Sequence, residues 1–282
     1  MKEFRNGNFQ GERALFFAKD LAIYDSVFEN GESPLKESRN IKIYSTEFKW
    51  KYPIWYSHDV KIYDSVLTET ARSGIWYTHG IEIRDSVIDA PKTFRRASGI
   101  ALYNVKMNNA EESMWNCRDI TLNDVFIKGD YFAMNSENIV AHNIRIDGNY
   151  AFDGAKRVEI HDSVLNSKDS FWNCEDVTVY NSVISGEYLG WNTKRLRLVN
   201  CKITSNQGMC YIDDLVLRDC ELERTDLAFE YCTVDAVVNS HIDSVKNITS
   251  GRLVAKSIGE IIMEDNRVDT SKTVIEVGEK NV

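Results

Sequence analysis

Proline is scarce in this chain, which has only three prolines in 282 residues beside fifteen glycines, thirteen tyrosines and six tryptophans. Such a composition is not that of a loop-rich enzyme. Tyrosine and tryptophan are both enriched in strands. The composition therefore favours a β-rich protein whose turns are short and economical.

Long apolar runs are also missing, since none approaches the roughly 20 residues that a membrane-spanning helix needs. Near the N-terminus the longest run is Ala14 to Ala18, which is too short for the apolar region of a secretory signal. We therefore expect a cytoplasmic protein that has no membrane partner.

The chain lacks an excess of basic residues, because 34 lysines and arginines face 43 aspartates and glutamates and leave a net charge of −9. A negative protein is repelled by a phosphate backbone and by an anionic membrane surface. Nucleic acid is therefore excluded as the expected partner.

The six cysteines include no CxxC pair and have no histidine at metal-ligand spacing. This spacing argues against both a zinc site and a disulfide framework. We expect reduced, buried thiols, and we expect neither a metal nor a cofactor. His58 and His79 share a repeat position on adjacent repeats, but no third ligand accompanies them.

One short motif recurs along almost the whole chain: apolar, any, apolar, any, Asp or Asn, small, any, apolar. Clear copies begin at Leu21, Val60, Ile81 and Val158. The spacing is 19 to 21 residues up to the last copies, and the first residues of the copies are 21, 41, 60, 81, 100, 120, 139, 158, 177, 196, 215, 235 and 261.

The motif alternates with a period of two and is rich in Val, Ile and Tyr, as a strand is. The leucines of a leucine-rich repeat are missing. The sequence therefore predicts an all-β, single-stranded, right-handed parallel β-helix of about 13 rungs, the hand being expected by analogy. One domain covers residues 1–282, with an N-terminal cap at 1–20, regular coils at 21–242 and the last coil with a C-terminal cap at 243–282.

Repeat positions one, three and eight are apolar and should face the core. Position five collects Asp and Asn where the chain must turn, and these residues tolerate left-handed backbone and bond to one another when stacked. We interpret this column as a turn device rather than a binding site: Asp25, Asp64, Asp85, Asn104, Asp124, Asn143, Asp162, Asn181, Asn200 and Asp219.

A second apolar column lies six residues before each motif, and its neighbour, five residues before the motif, should face outward by strand alternation. Five of the six tryptophans fall in this outward column, which runs Phe16, Lys36, Trp55, Trp76, Arg95, Trp115, Met134, Asp153, Trp172, Trp191, Cys210 and Glu230.

Several longer strings give the chain a resemblance to a known family. They are Gly11-Glu-Arg-Ala-Leu-Phe, Gly31-Glu-Ser-Pro-Leu-Lys-Glu-Ser, Phe48-Lys-Trp-Lys-Tyr-Pro, Gly129-Asp-Tyr-Phe-Ala-Met-Asn-Ser-Glu-Asn and Gly186-Glu-Tyr-Leu-Gly-Trp-Asn. The chain resembles an uncharacterised bacterial family of the pectate-lyase-like β-helix superfamily. That resemblance implies the fold and favours acidic polysaccharide as a ligand class, but it supplies no catalytic residue.

Polar residues interrupt the aromatic column, and we expect any catalytic residues at these interruptions. We take Arg95, Asp130 and Asp153 as catalytic candidates, because arginine can hold a substrate anion and a carboxyl of raised pKa can act as acid or base. Asp169 is a further acid beside the column. Arg95 and Asp153 are three rungs apart, roughly 14 Å, so they cannot easily act on one bond.

A row of indoles one rung apart suits the stacking of sugar rings. We therefore expect an oligosaccharide or polysaccharide ligand, which the protein binds and, if it is an enzyme, cleaves as a lyase or glycosidase. The alternatives are a protein interface, including a homodimer, and cover by a terminal segment. The expected substrate-binding residues are Trp55, Trp76, Trp115, Trp172, Trp191, Arg96, Tyr56 and Tyr77.

Overall fold

A computed structural model describes residues 1–278 of the chain, and it consists of parallel β-solenoid turns, about 15 in number. Two compact units, Met1–Arg145 and Ile146–Val282, divide the chain. Within the described residues there is no α-helix, and two short 3₁₀ helices lie at Glu69–Ala71 and Thr270–Lys272. The predicted all-β solenoid is confirmed, while the single-domain organisation stays a prediction.

The strands of the first unit are β1 (Lys2–Arg5), β2 (Asn8–Gln10), β3 (Lys19–Tyr24), β4 (Val27–Glu29), β5 (Arg39–Tyr44), β6 (Glu47–Phe48), β7 (His58–Tyr63), β8 (Val66–Leu67), β9 (Ile75–Trp76), β10 (His79–Ile88), β11 (Phe94–Arg95), β12 (Ser98–Met107), β13 (Arg118–Lys128) and β14 (Glu137–His142). Most of them have two to six residues, and β10, β12 and β13 have ten or eleven.

The remaining strands follow the same plan until the last turns, where they lengthen. They are β15 (Arg145–Asp147), β16 (Lys156–His161), β17 (Val164–Asn166), β18 (Glu175–Tyr180), β19 (Val183–Ser185), β20 (Lys194–Val199), β21 (Lys202–Thr204), β22 (Met209–Cys210), β23 (Asp213–Glu223), β24 (Phe229–Glu230), β25 (Thr233–Lys246), β26 (Ser250–Ile262) and β27 (Thr273–Val277).

The strand register confirms the repeat. In the first unit, position one pairs in parallel through Leu21, Ile41, Val60, Ile81, Ile100, Ile120 and Ile139. In the second unit it pairs through Val158, Val177, Leu196 and Leu215. Side chains at positions one, three and eight are buried in these turns, so within each unit the apolar side chains of successive turns stack into a core.

The ends of the chain depart from the predicted register. Leu215 pairs with Val234 rather than with residue 235, and Val234 pairs with Gly251, so the copies predicted at 235 and 261 are wrong. The turns that start at Leu215 and Val234 are 19 and 17 residues long, instead of the predicted 20 and 26. The register shift between Leu217 and Cys220 lies after the Leu215–Val234 pair and shortens the turn that leads to Gly251, and a second shift follows between Val238 and His241.

Both predicted caps contain further rungs. Lys2 pairs with Leu21, so a strand of residues 1–20 adds a turn, and Thr273 pairs with Gly251 near the other end. These rungs explain why the solenoid has more turns than the 13 predicted. Residues 279–282 of the predicted C-terminal cap lie outside the described residues.

The corner column behaves as predicted. All ten Asp and Asn residues at position five have a left-handed φ between 48° and 56°. Neighbouring turns are joined by side-chain hydrogen bonds, in which Asn104 Nδ2 donates to Asp85 Oδ1 at 2.7 Å and Asn200 Nδ2 donates to Asn181 Oδ1 at 2.9 Å. The column is therefore a turn device.

Three further left-handed corners occur in most turns, and these were not predicted. One corner lies directly before the motif, as at Asp59 and Asp176. The other two bracket the tryptophan column, as at Tyr52 and Tyr56. Because the backbone turns sharply on both sides of this column, its side chains stand on a narrow strip of two or three residues.

Candidate functional site

The tryptophan column of the first unit is a stacked ladder. The rings of Trp55 and Trp76 have centroids 5.2 Å apart and an interplanar angle of 6°. The Arg95 guanidinium carbon lies 4.7 Å from the centroid of Trp76 and 4.6 Å from that of Trp115. We call Trp55, Trp76, Arg95 and Trp115 the indole ladder.

Each indole of the ladder is also anchored by its N–H group. The Nε1 atoms of Trp55, Trp76 and Trp115 donate to the backbone carbonyls of residues 73, 92 and 131, at 2.6, 2.8 and 2.7 Å. All three rings are half-buried. The ring faces are covered by their neighbours along the ladder, so the side of the solenoid presents ring edges rather than the wide flat surface expected for sugar stacking.

A second ladder runs beside the first. Tyr56 and Tyr77 stack with centroids 4.7 Å apart and an angle of 3°, while Lys36 and Arg96 lie over their outer faces at 5.5 and 5.9 Å. Tyr56 is exposed. Cations therefore cap the aromatic rings at both ends of this ladder.

Arg95 lies inside the indole ladder rather than in an open site. Its Nε and Nη2 atoms are buried and have no hydrogen-bond partner among the described residues. Glu112 Oε2 is 3.7 Å from Nη2, and the same carboxylate lies 2.9 Å from Lys92 Nζ. Cation–π contact and this looser ion pair thus surround the guanidinium.

The other two catalytic candidates occupy different surroundings. Asp130, in the first unit, donates its backbone N–H to Glu111 Oε2 at 3.1 Å and accepts from the Glu112 N–H through its carbonyl at 3.0 Å. Asp153 belongs to the second unit. The catalytic roles of Arg95, Asp130 and Asp153 stay predictions.

In the second unit, Asp153 lies one turn from an exposed tryptophan. The Gly154 N–H donates to the Trp172 carbonyl at 2.8 Å, and this places Asp153 and Trp172 side by side in the same column. Trp172 is 36% exposed, and its ring lies 5.9 Å from that of Tyr150 at a tilt of 37°. This indole is not packed in the parallel manner of Trp55 and Trp76.

A second carboxyl stands at the corner that leads into Trp172. Asp169 begins this corner, with a left-handed φ of 50°, and its carbonyl accepts from the Trp172 N–H at 3.4 Å. Asp169 is only 6% exposed. We call Asp153 and Asp169 the acid pair.

Both carboxyls of the acid pair have a raised pKa. Burial is the main cause of the raised pKa of Asp169; Lys168 opposes it, and the negative charges of Asp153 and Glu187 add to it. Burial also raises the pKa of Asp153, against a hydrogen bond of 3.3 Å from Asn173 Nδ2. Carboxyls of this kind retain a proton to higher pH than exposed ones and can act as general acids.

Trp191 completes the aromatic surface of the second unit. Its ring lies 5.8 Å from Tyr188 in an edge-on arrangement and 5.3 Å from Tyr211 at a tilt of 37°. Cys210, predicted to point outward from the same column, is fully buried instead. Its sulfur lies 3.9 Å from Glu230 Oε2, so the carboxylate of the next turn covers it.

A cleft of about 390 Å³ lies one turn from Asp169, because its lining residue Glu187 accepts the Asp169 N–H through its backbone carbonyl at 2.9 Å. The cleft carries hydroxyl, amide, carboxylate and guanidinium groups. It is lined by Ser185, Gly186, Glu187, Thr204, Asn206, Arg224, Asp226 and Asp243.

Asp169 was only a flanking residue in the sequence, yet its pKa responds to the charge of Asp153. A signal for it was present: the turns on either side place tyrosine at this corner, at Tyr150 and Tyr188, whereas Asp169 places a carboxyl there. Its burial could not be predicted from one sequence.

Metal-binding geometry is absent from residues 1–278, where no group of three or more His, Cys, Asp or Glu side chains is arranged to hold an ion. The rings of His58 and His79 lie 5.3 Å apart, and His79 Nδ1 is 2.7 Å from Ser98 Oγ. All six cysteines are buried and free, as predicted. No helix in the described part of the chain is long and apolar enough to cross a membrane.

A family model described as "Protein of unknown function (DUF3737)" matches residues 2–276. The chain belongs to this family. Comparison with curated proteins gives no match. The predicted place of the family in the pectate-lyase-like superfamily stays a prediction.

Several solved structures are similar to this DUF3737 chain at low identity. The A-module of the mannuronan C-5 epimerase AlgE4 from Azotobacter vinelandii is 11% identical, with a TM-score of 0.48, and the match covers 84% of this chain and 90% of that one. The pentapeptide repeat protein HetL from Nostoc sp. strain PCC 7120 is 12% identical, with a TM-score of 0.31 and coverage of 81% and 90%.

The catalytic domain of a GH87 α-1,3-glucanase is 8% identical, with a TM-score of 0.31, and the match covers 97% of this chain and 63% of that one. These neighbours thus include carbohydrate-active proteins and a pentapeptide repeat protein. The identities are too low to transfer a substrate or an activity to the DUF3737 chain.

Proposed function

We propose that the protein binds a carbohydrate on the surface around Trp172 in the second unit, and that the acid pair processes the bound sugar. The observation that carries this proposal is the placement of two carboxyls of raised pKa beside an exposed indole. We also propose that the protein is cytoplasmic and that its ligand is an oligosaccharide imported into the cell.

The chemistry follows from the unequal surroundings of the two acids. Asp169 is the more buried and is the better candidate for the general acid, which gives a proton to a leaving oxygen. Asp153 accepts a hydrogen bond from Asn173 and is the better candidate for the base or nucleophile. Paired carboxyls in these two roles are the usual machinery of glycoside cleavage.

The first test is tryptophan fluorescence during titration with a panel of neutral and uronic oligosaccharides. We expect a saturable shift that Trp172→Ala abolishes. Trp50→Ala is a matched control, because Trp50 is 37% exposed and lies in the first unit, away from the acid pair. If no sugar binds, or if both variants bind equally, the proposal is wrong.

Turnover is tested separately from binding. Any oligosaccharide that binds is incubated with the parent, with Asp153→Asn and with Asp169→Asn, and the products are analysed by chromatography. Loss of product in both variants with binding retained supports the acid pair. If both variants still form product, the acid pair does not catalyse the reaction.

A second function, protein assembly, is favoured by the geometry of the first unit. The indole ladder and the tyrosine ladder beside it form an aromatic strip of stacked rings. Such strips suit a protein partner, with a homodimer as the simplest case. Light scattering of the parent and of Tyr56→Lys tests it, and a monomeric parent excludes the homodimer.

A further inference from the structure

Two cysteines of the second unit stand directly over one another. Lys202 and Glu221 are register partners, and the Glu221 N–H donates to the Cys201 carbonyl at 3.0 Å. Cys201, directly before β21, and Cys220, within β23, each precede one of these partners by one residue and therefore occupy the same column on adjacent turns. Adjacent strands are about 4.8 Å apart, within the Cα separation that a disulfide requires.

The other cysteines do not share this arrangement. Cys210 and Cys232 occupy different positions of the repeat, and Cys174 has no cysteine above or below it in its column. Cys117 belongs to the first unit. The stacking of two thiols in one column on adjacent turns is therefore specific to the Cys201–Cys220 pair among the cysteines of the second unit.

Serine is the ordinary residue of this column, and it makes the same backbone contact. Ser182 Oγ donates to the Tyr180 carbonyl at 2.7 Å, two residues back. The Sγ atoms of Cys201 and Cys220 contact the carbonyls of residues 199 and 218 at 3.4 and 3.3 Å. Since serine satisfies the fold at this position, the two thiols add a chemistry that the fold does not need.

A small oxidant has a route to the pair. Cys201 lines a cleft of about 390 Å³ whose other lining residues are Asn181, Ser182, Val183, Asn200, Lys202, Asp219, Glu221 and Asn239. The register shift that follows Leu217 lies at this cleft. Cys201 is 2% exposed and Cys220 is fully buried, so the cleft admits a molecule of peroxide size rather than a protein oxidant.

We propose that Cys201 and Cys220 form a redox-modification site that a hydroperoxide converts to a disulfide. One sulfur attacks the peroxide, breaks its O–O bond and becomes a sulfenic acid as the first water or alcohol leaves. The other sulfur then attacks the sulfenic sulfur, an S–S bond forms, and water leaves. The two thiols lose two electrons and two protons, and the peroxide is reduced.

The hydrogen bond between the two thiols supports this chemistry, because it lowers the pKa of Cys220 while it raises that of Cys201. A thiolate is the reactive form of cysteine. The neighbouring thiol thus favours an anionic sulfur at a place where burial alone would suppress it.

The test treats the folded full-length protein with hydrogen peroxide, unfolds it in an alkylating reagent and maps disulfides by mass spectrometry without reduction. We expect a peptide that links Cys201 to Cys220 and four alkylated cysteines. Reduction with dithiothreitol before alkylation should give six alkylated cysteines. The oxidised protein should unfold at a higher urea concentration, because the cross-link closes one complete turn.

Matched variants distinguish specific oxidation of Cys201 and Cys220 from unspecific oxidation of any cysteine. Cys201→Ser and Cys220→Ser place the column's ordinary residue at each site and should fold, yet form no disulfide. Cys232→Ser, at another buried cysteine, should leave the cross-link unchanged. Six free thiols in the oxidant-treated parent, or a link between any other two cysteines, would overturn the proposal.

Discussion

At the residue scale, the corners depend on residues that tolerate a left-handed backbone. Asn181 has a φ of 49°, donates to Asp162 Oδ1 at 3.3 Å and accepts from Asn200 Nδ2 at 2.9 Å. An alanine here would suffer the steric penalty of the left-handed region and would lose both bonds.

We expect Asn181→Ala to lower the free energy of unfolding by about 2 kcal/mol, combining the left-handed cost with the lost hydrogen bonds. Asn181→Gly also loses both hydrogen bonds, but glycine adopts the left-handed backbone without a steric penalty. Its loss of unfolding free energy should therefore be smaller. Urea unfolding of both variants checks the prediction. Equal losses would show that backbone conformation is not the larger cost.

Asp169 is a residue at which function and stability should oppose each other. Its pKa in the folded protein is above that of the unfolded chain, so the folded state binds the proton more tightly. The stability that this proton contributes is complete below the unfolded pKa and is lost as the pH rises through the folded pKa.

Asp169→Asn should therefore be more stable than the parent at pH 7, and the difference should vanish as the pH falls below about 4. Asp176→Asn is the opposite control, because Arg195 lowers the pKa of Asp176. This variant should be less stable than the parent at pH 7 and equally stable in acid, where Asp176 of the parent is protonated. Urea unfolding at both pH values measures both. A destabilised Asp169→Asn at pH 7 contradicts the prediction.

At the element scale, the indole ladder is a structural support of the first unit. Trp76 stacks on Trp55, covers one face of the Arg95 guanidinium and donates its N–H to the Lys92 carbonyl. Removing the ring leaves a gap between its two neighbours and exposes the charge of Arg95.

We expect Trp76→Ala to lower the free energy of unfolding by about 3 kcal/mol, near the low end for a large aromatic, because Trp76 is half-buried. Trp76→Phe keeps the stacking, loses the hydrogen bond and should cost about 1 kcal/mol. Chemical denaturation followed by circular dichroism gives both values. Wild-type stability in Trp76→Ala would show that the ladder is not structural.

At the scale of the whole molecule, the solenoid should tolerate the loss of a complete turn. Residues 41–59 run from position one of one repeat to the residue before position one of the next. Deleting them keeps every later side chain on its own face, whereas deleting 41–49 moves inward residues outward.

The variant lacking 41–59 should therefore remain folded, with a β-type circular dichroism spectrum and a cooperative but weaker thermal transition. The variant lacking 41–49 should aggregate or unfold. Size-exclusion chromatography and circular dichroism distinguish the two. If both deletions fold equally well, the turn is not the structural unit.

The repeat was readable from the sequence because its signals are local. Alternation places Ile81 and Ile83 inward, and a left-handed turn selects Asp85 and Asn104, so the strands, the core and the position-five corner follow from residue type and spacing. The same reasoning failed at residues 235 and 261, because the turns from Leu215 to Val234 and from Val234 to Gly251 are 19 and 17 residues long, and the register shift that shortens the second leaves no residue-type signal.

The tryptophans show what only the tertiary structure decided. Their column and spacing are properties of the sequence, but whether an indole offers its face or its edge depends on the neighbour above it. Trp55 and Trp76 cover each other, whereas Trp172 lies beside the smaller Asp153 and remains exposed. The burial of Asp169 is likewise a property of its surroundings, because desolvation depends on the side chains of the adjacent turns.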